Sequence, residues 1–250
     1  MSLTAKKTSG TTGRSGYHLI DSRPTAHGKV TSFVTELCST KRRRSWKWML
    51  LTNRIARTIC REVKQAASGG IQGLYFRGRT FPSGQEPIGA VDFGPPSPDR
   101  RGEGRYNEHG KKVLYLCRNV STVGAECPRT EEDPCLFIQP FNIQLDAVRV
   151  LQLDADLEEQ FPYLQYTLLE SEYAAEGTNF VRFPYRATHL IAEICRRLDI
   201  GAVEYPSVRG GYKDNREAVN LIVFEQYCDS VCDMMAGEPF KYQPSDLCLE

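Results

Sequence analysis

The chain of 250 residues has no apolar run approaching the roughly 20 residues that a membrane-spanning helix needs. That excludes a helical membrane protein, and a membrane is not among the expected partners. It has no CxxC pair, and its four histidines (His18, His27, His109, His189) are scattered. Zinc-ligand spacing is therefore missing and no metal is expected. Its nine cysteines are too few and too odd in number for a disulfide scaffold. Several sit in apolar stretches, such as Cys117 in VLYLC and Cys195 in IAEIC, where Cys behaves as a small hydrophobe. It also lacks net charge: 32 basic against 31 acidic residues leave +1, which argues against nucleic-acid binding through overall charge. The amino terminus has lysines with Ser, Thr and Gly but no apolar core behind them, so no secretory signal is expected. These absences describe a reduced, intracellular, cytoplasmic protein, with delivery into another cell left open.

What is present is 40% hydrophobic and 25% charged, ordinary for a globular domain, with no internal repeat. Residues 1–16 are rich in Ser, Thr, Gly and Lys and predict a disordered tail. Residues 17–70 read as a basic helical extension. Within it Lys41–Arg44 leads into a predicted helix over 47–66, with Leu51, Ile55, Ile59 and Val63 as its apolar stripe and Ser68-Gly69-Gly70 as its stop. From 41 to 64 there are nine Lys or Arg against one acid, Glu62. That run invites a nucleic-acid reading. The stretch from Glu225 onward, with Asp229, Asp233, Glu238, Asp246 and Glu250 against one Lys, offers an internal counter-charge instead, and 227–250 reads as an acidic tail.

Between these ends, IQGLYFRGR (71–79) predicts a strand, followed by a Pro-rich loop over 82–104. VLYL (113–116) and VRVLQLD (148–154) predict strands, and Ser121 predicts the cap of a short helix through Glu126. A helix is expected over 157–170. Another is expected from a Thr188 cap through Leu190, Ile191, Ile194, Cys195 and Leu198 to a stop near Gly201. AVEYP (202–206) and VNLIVFE (219–225) read as buried strands. The class is mixed α/β (α+β).

Three fragments stand out: Gly104-Arg105-Tyr106-Asn107; Tyr115-Leu116 through Ala125-Glu126; and Tyr205-Pro206-Ser207 followed by Asn220-Leu221-Ile222-Val223-Phe224. Singly, each has an ordinary reading: a turn with a solvated Arg, a surface acid, a core Tyr, a strand-ending turn whose Ser bonds local backbone. In this order, over about residues 71–226, they resemble the RES domain family, named for its arginine, glutamate and serine. Tyr106 stands where that family commonly has Trp, and Cys127 replaces an expected aliphatic residue. The resemblance implies an ADP-ribosyltransferase-like core and NAD⁺ as a substrate rather than a cofactor. It matches the signature residues to Arg105, Glu126 and Ser207, an earlier strand arginine to Arg77, and the strand tyrosine to Tyr115.

The implied activity is cleavage of the nicotinamide–ribose bond by hydrolysis or phosphorolysis, as in toxins that deplete NAD⁺. Arg suits a pyrophosphate because its guanidinium is a planar, permanently charged fork. A carboxylate such as Glu126 stabilises positive charge developing on ribose. Tyr115 can pack against a cationic nicotinamide ring. Ser207 is cast as an orienter of ribose or nicotinamide. Implied partners are inorganic phosphate or a protein acceptor, a helix-turn-helix antitoxin, and further copies of the chain. Mono-ADP-ribosylation of a protein, a catalytically silent binding module, and a nucleic-acid binder using Arg42, Arg43 and Arg44 stand as alternatives.

Overall fold

The computed structural model describes residues 26–39, 45–127, 129–132, 134–153, 157–175, 185–207, 209–210 and 217–243. The expected tail over 1–16, the run Lys41–Arg44 and residues 244–250 lie outside the described residues.

Three helices open the described chain: α1 (Ala26–Ser39), α2 (Trp46–Thr52) and α3 (Arg54–Ala66). The stripe Leu51/Ile55/Ile59/Val63 predicts one continuous helix, but Asn53 divides it. Its backbone is extended, and its side-chain Oδ1 accepts from the Ile55 and Ala56 N–H groups at 2.9 and 3.0 Å, starting α3 afresh. Ile59 and Val63 are fully buried, whereas Leu51 is 65% exposed. The expected stop at Ser68-Gly69 is instead strand β1 (Ala67–Gly69).

Strand β2 (Gln72–Phe81) and β3 (Val113–Cys117) follow, joined by the Pro-rich segment, whose regular structure is confined to two short 3₁₀ turns. Helix α4 (Val120–Glu126) comes next. Its cap is Asn119, which accepts from Thr122 N–H at 2.8 Å, rather than Ser121, which donates to Asn119. Strand β4 (Cys135–Gln144) carries no sequence expectation, and its Pro140 reads as a strand breaker. Every residue of β4 nevertheless pairs with β2. Asn142 N–H donates outward to Met234 O, so by alternation the N–H that Pro140 lacks falls on the side away from β2.

Strand β5 (Arg149–Gln152) precedes α5 (Leu157–Gln160) and α6 (Pro162–Ala175), a helix pair broken at Phe161-Pro162 where one helix is expected. The chain ends in α7 (Arg186–Arg197), β6 (Ile200–Pro206), β7 (Val219–Phe224), α8 (Glu225–Cys232) and β8 (Phe240–Lys241). Tyr185 occupies the N-cap position of α7, and Thr188 lies inside the helix rather than capping it.

The eight strands form one mixed sheet in the order β1-β5-β6-β7-β3-β2-β4-β8, with only β5–β6 parallel. Alternation sorts the strand side chains onto two faces. Val113, Val203, Tyr205, Ile222 and Phe224 join one core with α1, α3, α6 and α7. Leu114, Leu116, Ala202, Leu221 and Val223 join a second with Phe93 and α8. An apolar run such as VNLIVF is thereby buried on both sides. The fold is mixed α/β, as expected. The amino-terminal helices are part of the main core, since Val30, Phe33 and Val34 cluster with Leu190, Ile191 and Phe224. Residues 227–243, acidic in sequence, supply the end of α8 and the strand β8 at the edge of the sheet.

Candidate functional site

Strands β2 and β3 share a single paired position, Phe76 with Cys117. A cleft of about 630 Å³ opens there, lined by Arg77, Arg105, Tyr115, Glu126, Tyr205 and Arg209, with Cys117, Cys127, Tyr185 and Asn220 among the remaining walls. Its volume suits a sizeable small molecule.

Glu126 reaches this cleft because α4 lies directly on β2. At Gly78 a Cβ would stand 2.4 Å from Val123 Cγ1 and 3.0 Å from Cys127 Sγ, so only glycine permits the approach. Two neutral donors then hold one oxygen of the carboxylate. Ser207 Oγ donates to Glu126 Oε1 at 2.7 Å and Asn220 Nδ2 donates to the same oxygen at 2.8 Å. Each donor is itself fixed: Ser207 Oγ accepts from Gly210 N–H at 2.9 Å, and Asn220 Oδ1 accepts from Cys117 Sγ at 3.2 Å. Oε2 receives no hydrogen bond from the described residues, so the group is oriented through one oxygen and available through the other.

GRYN forms a tight turn closed by Gly104 N–H to Asn107 O at 3.0 Å and Asn107 N–H to Gly104 O at 3.3 Å. Each residue of the motif has a local task. Gly104 leaves room for the Tyr115 hydroxyl, which a Cβ would approach to 2.9 Å. Tyr106 is buried with its ring 4.7 Å from that of Tyr205, so an aromatic is required there and Tyr serves. Asn107 ties the loop by donating to Gly102 O at 2.8 Å. Arg105, the remaining residue, faces the cleft with its guanidinium carbon 5.7 Å from the Tyr205 ring centre. From the other side α7 grips the turn: Thr188 Oγ1 donates to Arg105 O, and His189 Nε2 lies 2.8 Å from Gly104 O. Burial holds the His189 imidazolium below its ordinary pKa, so the ring enters this contact neutral and donating.

The Tyr115 hydroxyl donates to Asn107 Oδ1 at 2.9 Å and accepts from Tyr106 N–H at 3.0 Å, joining β3 to the turn. Burial pushes this phenol well above its usual range, so it stays protonated. Arg77 Nη1 donates to Tyr115 O at 3.2 Å, while its Nε is buried with no hydrogen-bond partner. Burial, with Arg79 nearby, brings the Arg77 guanidinium down to about 10, which leaves it a cation at neutral pH. A buried cation with an unsatisfied donor beside a cleft is suited to an anionic ligand. Behind the site, Glu204 accepts from Tyr75 Oη at 2.6 Å and Arg118 Nη1 at 3.0 Å, pinning β6 one residue before Tyr205.

Of the residues named from sequence, Arg77, Arg105, Tyr115 and Glu126 line the cleft. Ser207 is fully buried and touches Glu126. Sequence reasoning assigned no role to Asn220 or Tyr205. Both stand in the fragments that carry the family resemblance, and Asn220 is besides the one amide in an otherwise apolar strand. No group of three or more His, Cys, Asp or Glu among the described residues is arranged to hold a metal.

The RES domain model matches residues 79–243, well over half of the sequence. The chain belongs to the RES domain family. No curated protein matches it. Among solved structures it is similar to a chain from the crystal structure of the M. tuberculosis MbcT–MbcA toxin–antitoxin complex, at 10% identity and a TM-score of 0.47. That match covers 76% of this chain and 95% of the other. The family match contains Arg105, Tyr115, Glu126, Ser207 and Asn220 and begins two residues after Arg77.

Proposed function

We propose that this RES domain protein consumes NAD⁺ by cleaving the nicotinamide–ribose bond. The observation that carries the reading is the Glu126 carboxylate, held through Oε1 by Ser207 and Asn220 in a cleft whose walls also present three arginines and three tyrosines. Arg77, Arg105 and Arg209 suit the pyrophosphate, and Tyr115 and Tyr205 suit the flat rings of the dinucleotide. Glu126 Oε2 then faces the ribose. As the C1′–N bond breaks, its electron pair leaves with nicotinamide and positive charge develops on the sugar, which the carboxylate stabilises. Water or phosphate adds at C1′ through oxygen and releases a proton, giving ADP-ribose or its 1″-phosphate. Ser207 acts here through Glu126, as a positioning residue. A protein antitoxin as partner is part of the same proposal, since the RES resemblance implies one.

The test is incubation of the full chain with NAD⁺, with and without inorganic phosphate, resolving products by mass. Free nicotinamide together with ADP-ribose or its phosphate is expected. Glu126→Gln should lower kcat by at least ~100-fold with little change in NAD⁺ affinity, because the carboxylate acts on charge that develops only in the transition state. Intact NAD⁺ in buffer, with labelled protein appearing in a cell lysate, would replace this reading by mono-ADP-ribosylation. Intact NAD⁺ in both would replace it by a silent binding module.

A further inference from the structure

The described part of the basic segment, from Lys47 to Lys64, does not line the cleft, and its charges are deployed in one sense only. Its single acid is turned inward: Glu62 is 9% exposed and its Oε2 accepts from Leu164 N–H at 2.7 Å, at the start of α6. Lys47, Arg54, Arg57, Arg61 and Lys64 are all exposed. None of these five pairs with an acid among the described residues. In the same stretch two large apolar side chains are exposed over half or more of their surface, Trp48 at 54% and Leu51 at 65%. They lie three residues apart, on one side of α2. The break at Asn53 puts them there: in a continuous helix Leu51 would extend the buried stripe of Ile59 and Val63, but the new start of α3 takes it out of register. The sequence lays four more cations, Lys41 to Arg44, immediately before α2.

We propose that the surface formed by α2 and α3 docks on an anionic lipid bilayer. Trp48 and Leu51 enter the boundary between headgroups and acyl chains, while Lys47, Arg54, Arg57 and Arg61 meet the anionic headgroups. A mixture of exposed Trp and Leu with cations and no exposed acid is the pattern of an interfacial helix. A nucleic-acid backbone would answer the cations equally well, but it would leave the aliphatic Leu51 as exposed as before. The protein as a whole carries only +1, so attraction has to come from this local surface. Helix α3 packs on β1 and β5, away from the β2–β3 pair in the strand order, and no residue of α2 or α3 lines the cleft. The proposal is independent of the activity assigned to that cleft.

The molecule supplies its own reporter, because its two tryptophans, Trp46 and Trp48, both lie in α2. With Trp46→Phe in the full chain, Trp48 becomes the lone fluorophore. Co-sedimentation and fluorescence are measured with vesicles of phosphatidylcholine alone or mixed with phosphatidylserine. Binding confined to the anionic vesicles, with a blue-shifted Trp48 emission, is expected. Each exposed arginine changed to Gln should weaken partitioning about fivefold, so R54Q/R57Q/R61Q should lose about a hundredfold. Leu51→Ser should weaken it with all charges intact. Circular dichroism and thermal unfolding confirm that these surface variants fold. Absence of binding, equal binding to neutral vesicles, or binding untouched by the triple variant would overturn the proposal. So would a salt-steep association with duplex or single-stranded nucleic acid that anionic vesicles fail to compete, which would make the surface a nucleic-acid interface.

Discussion

Gly78→Ala isolates the contact that brings Glu126 to the site, and its cost can be worked from distances. The added methyl would lie 2.4 Å from Val123 Cγ1, 3.0 Å from Cys127 Sγ and 3.0 Å from Leu136 Cδ1. Carbon atoms in contact prefer about 3.5–4.0 Å, so the overlap with Val123 exceeds roughly 1 Å. Val123 and Leu136 are buried at 0% and 1% exposure and have no solvent to retreat into. Overpacking of this kind costs typically about 1–3 kcal/mol, and the absence of a yielding neighbour places this case at about 2–3 kcal/mol. The relief available is for α4 to lift from β2, which carries Glu126 away from Ser207 and Asn220, now 2.7 and 2.8 Å distant. A displacement of about 1 Å breaks both hydrogen bonds and, under the proposed chemistry, can lower turnover about 100-fold. Urea unfolding of Gly78→Ala, Val123→Ala and the double variant checks the packing without reference to activity. Val123→Ala removes the clashing methyl, so the double variant should be more stable than the sum of the singles by at least ~1 kcal/mol. An unchanged midpoint for Gly78→Ala, or strict additivity in the double variant, would refute the close-packing account.

Ser207→Ala and Asn220→Leu should each lower NAD⁺ turnover by roughly 10–100-fold with little effect on its dissociation constant, since each removes one hydrogen bond that orients a carboxylate. Initial rates and calorimetry check this, and the double variant should lose much less than the product of the singles because both act through Glu126. Tyr115→Phe deprives Tyr106 N–H and Asn107 Oδ1 of their partner and should lower unfolding stability by about 1–3 kcal/mol, measured by denaturant titration. His189 has a depressed pKa in the fold, so the unfolded chain binds its proton first as pH falls. Its contribution to stability is therefore fully present above the ordinary imidazole value of about 6.5 and is lost progressively below it. Thermal unfolding against pH should show His189→Gln with a shallower fall than wild type below that point.

What the sequence determined by itself is what rests on local pattern. The continuous apolar runs of VLYL and VNLIVF and the loop over the Pro-rich segment follow from short-range sterics and hydrophobicity, and such patterns place most strands correctly. The ordered motifs around Arg105, Glu126 and Ser207 were legible through their resemblance to the RES domain family, and the family match over residues 79–243 contains all three. Small competitions between neighbours were less legible. Asn53 captures two backbone N–H groups and wins over a good apolar stripe. Asn119 takes the cap from Ser121, and Pro140 sits in a strand because its missing donor faces away from the β2 ladder. Only the tertiary structure decided which groups meet. Ser207 and Asn220 lie 81 and 94 residues from Glu126, and no local rule says that both donors converge on one oxygen. The grip of α7 on the GRYN turn is likewise set by how that helix packs against the sheet, a long-range outcome of the whole core. Residue type is written position by position, but a site is made where distant segments are forced together by burial.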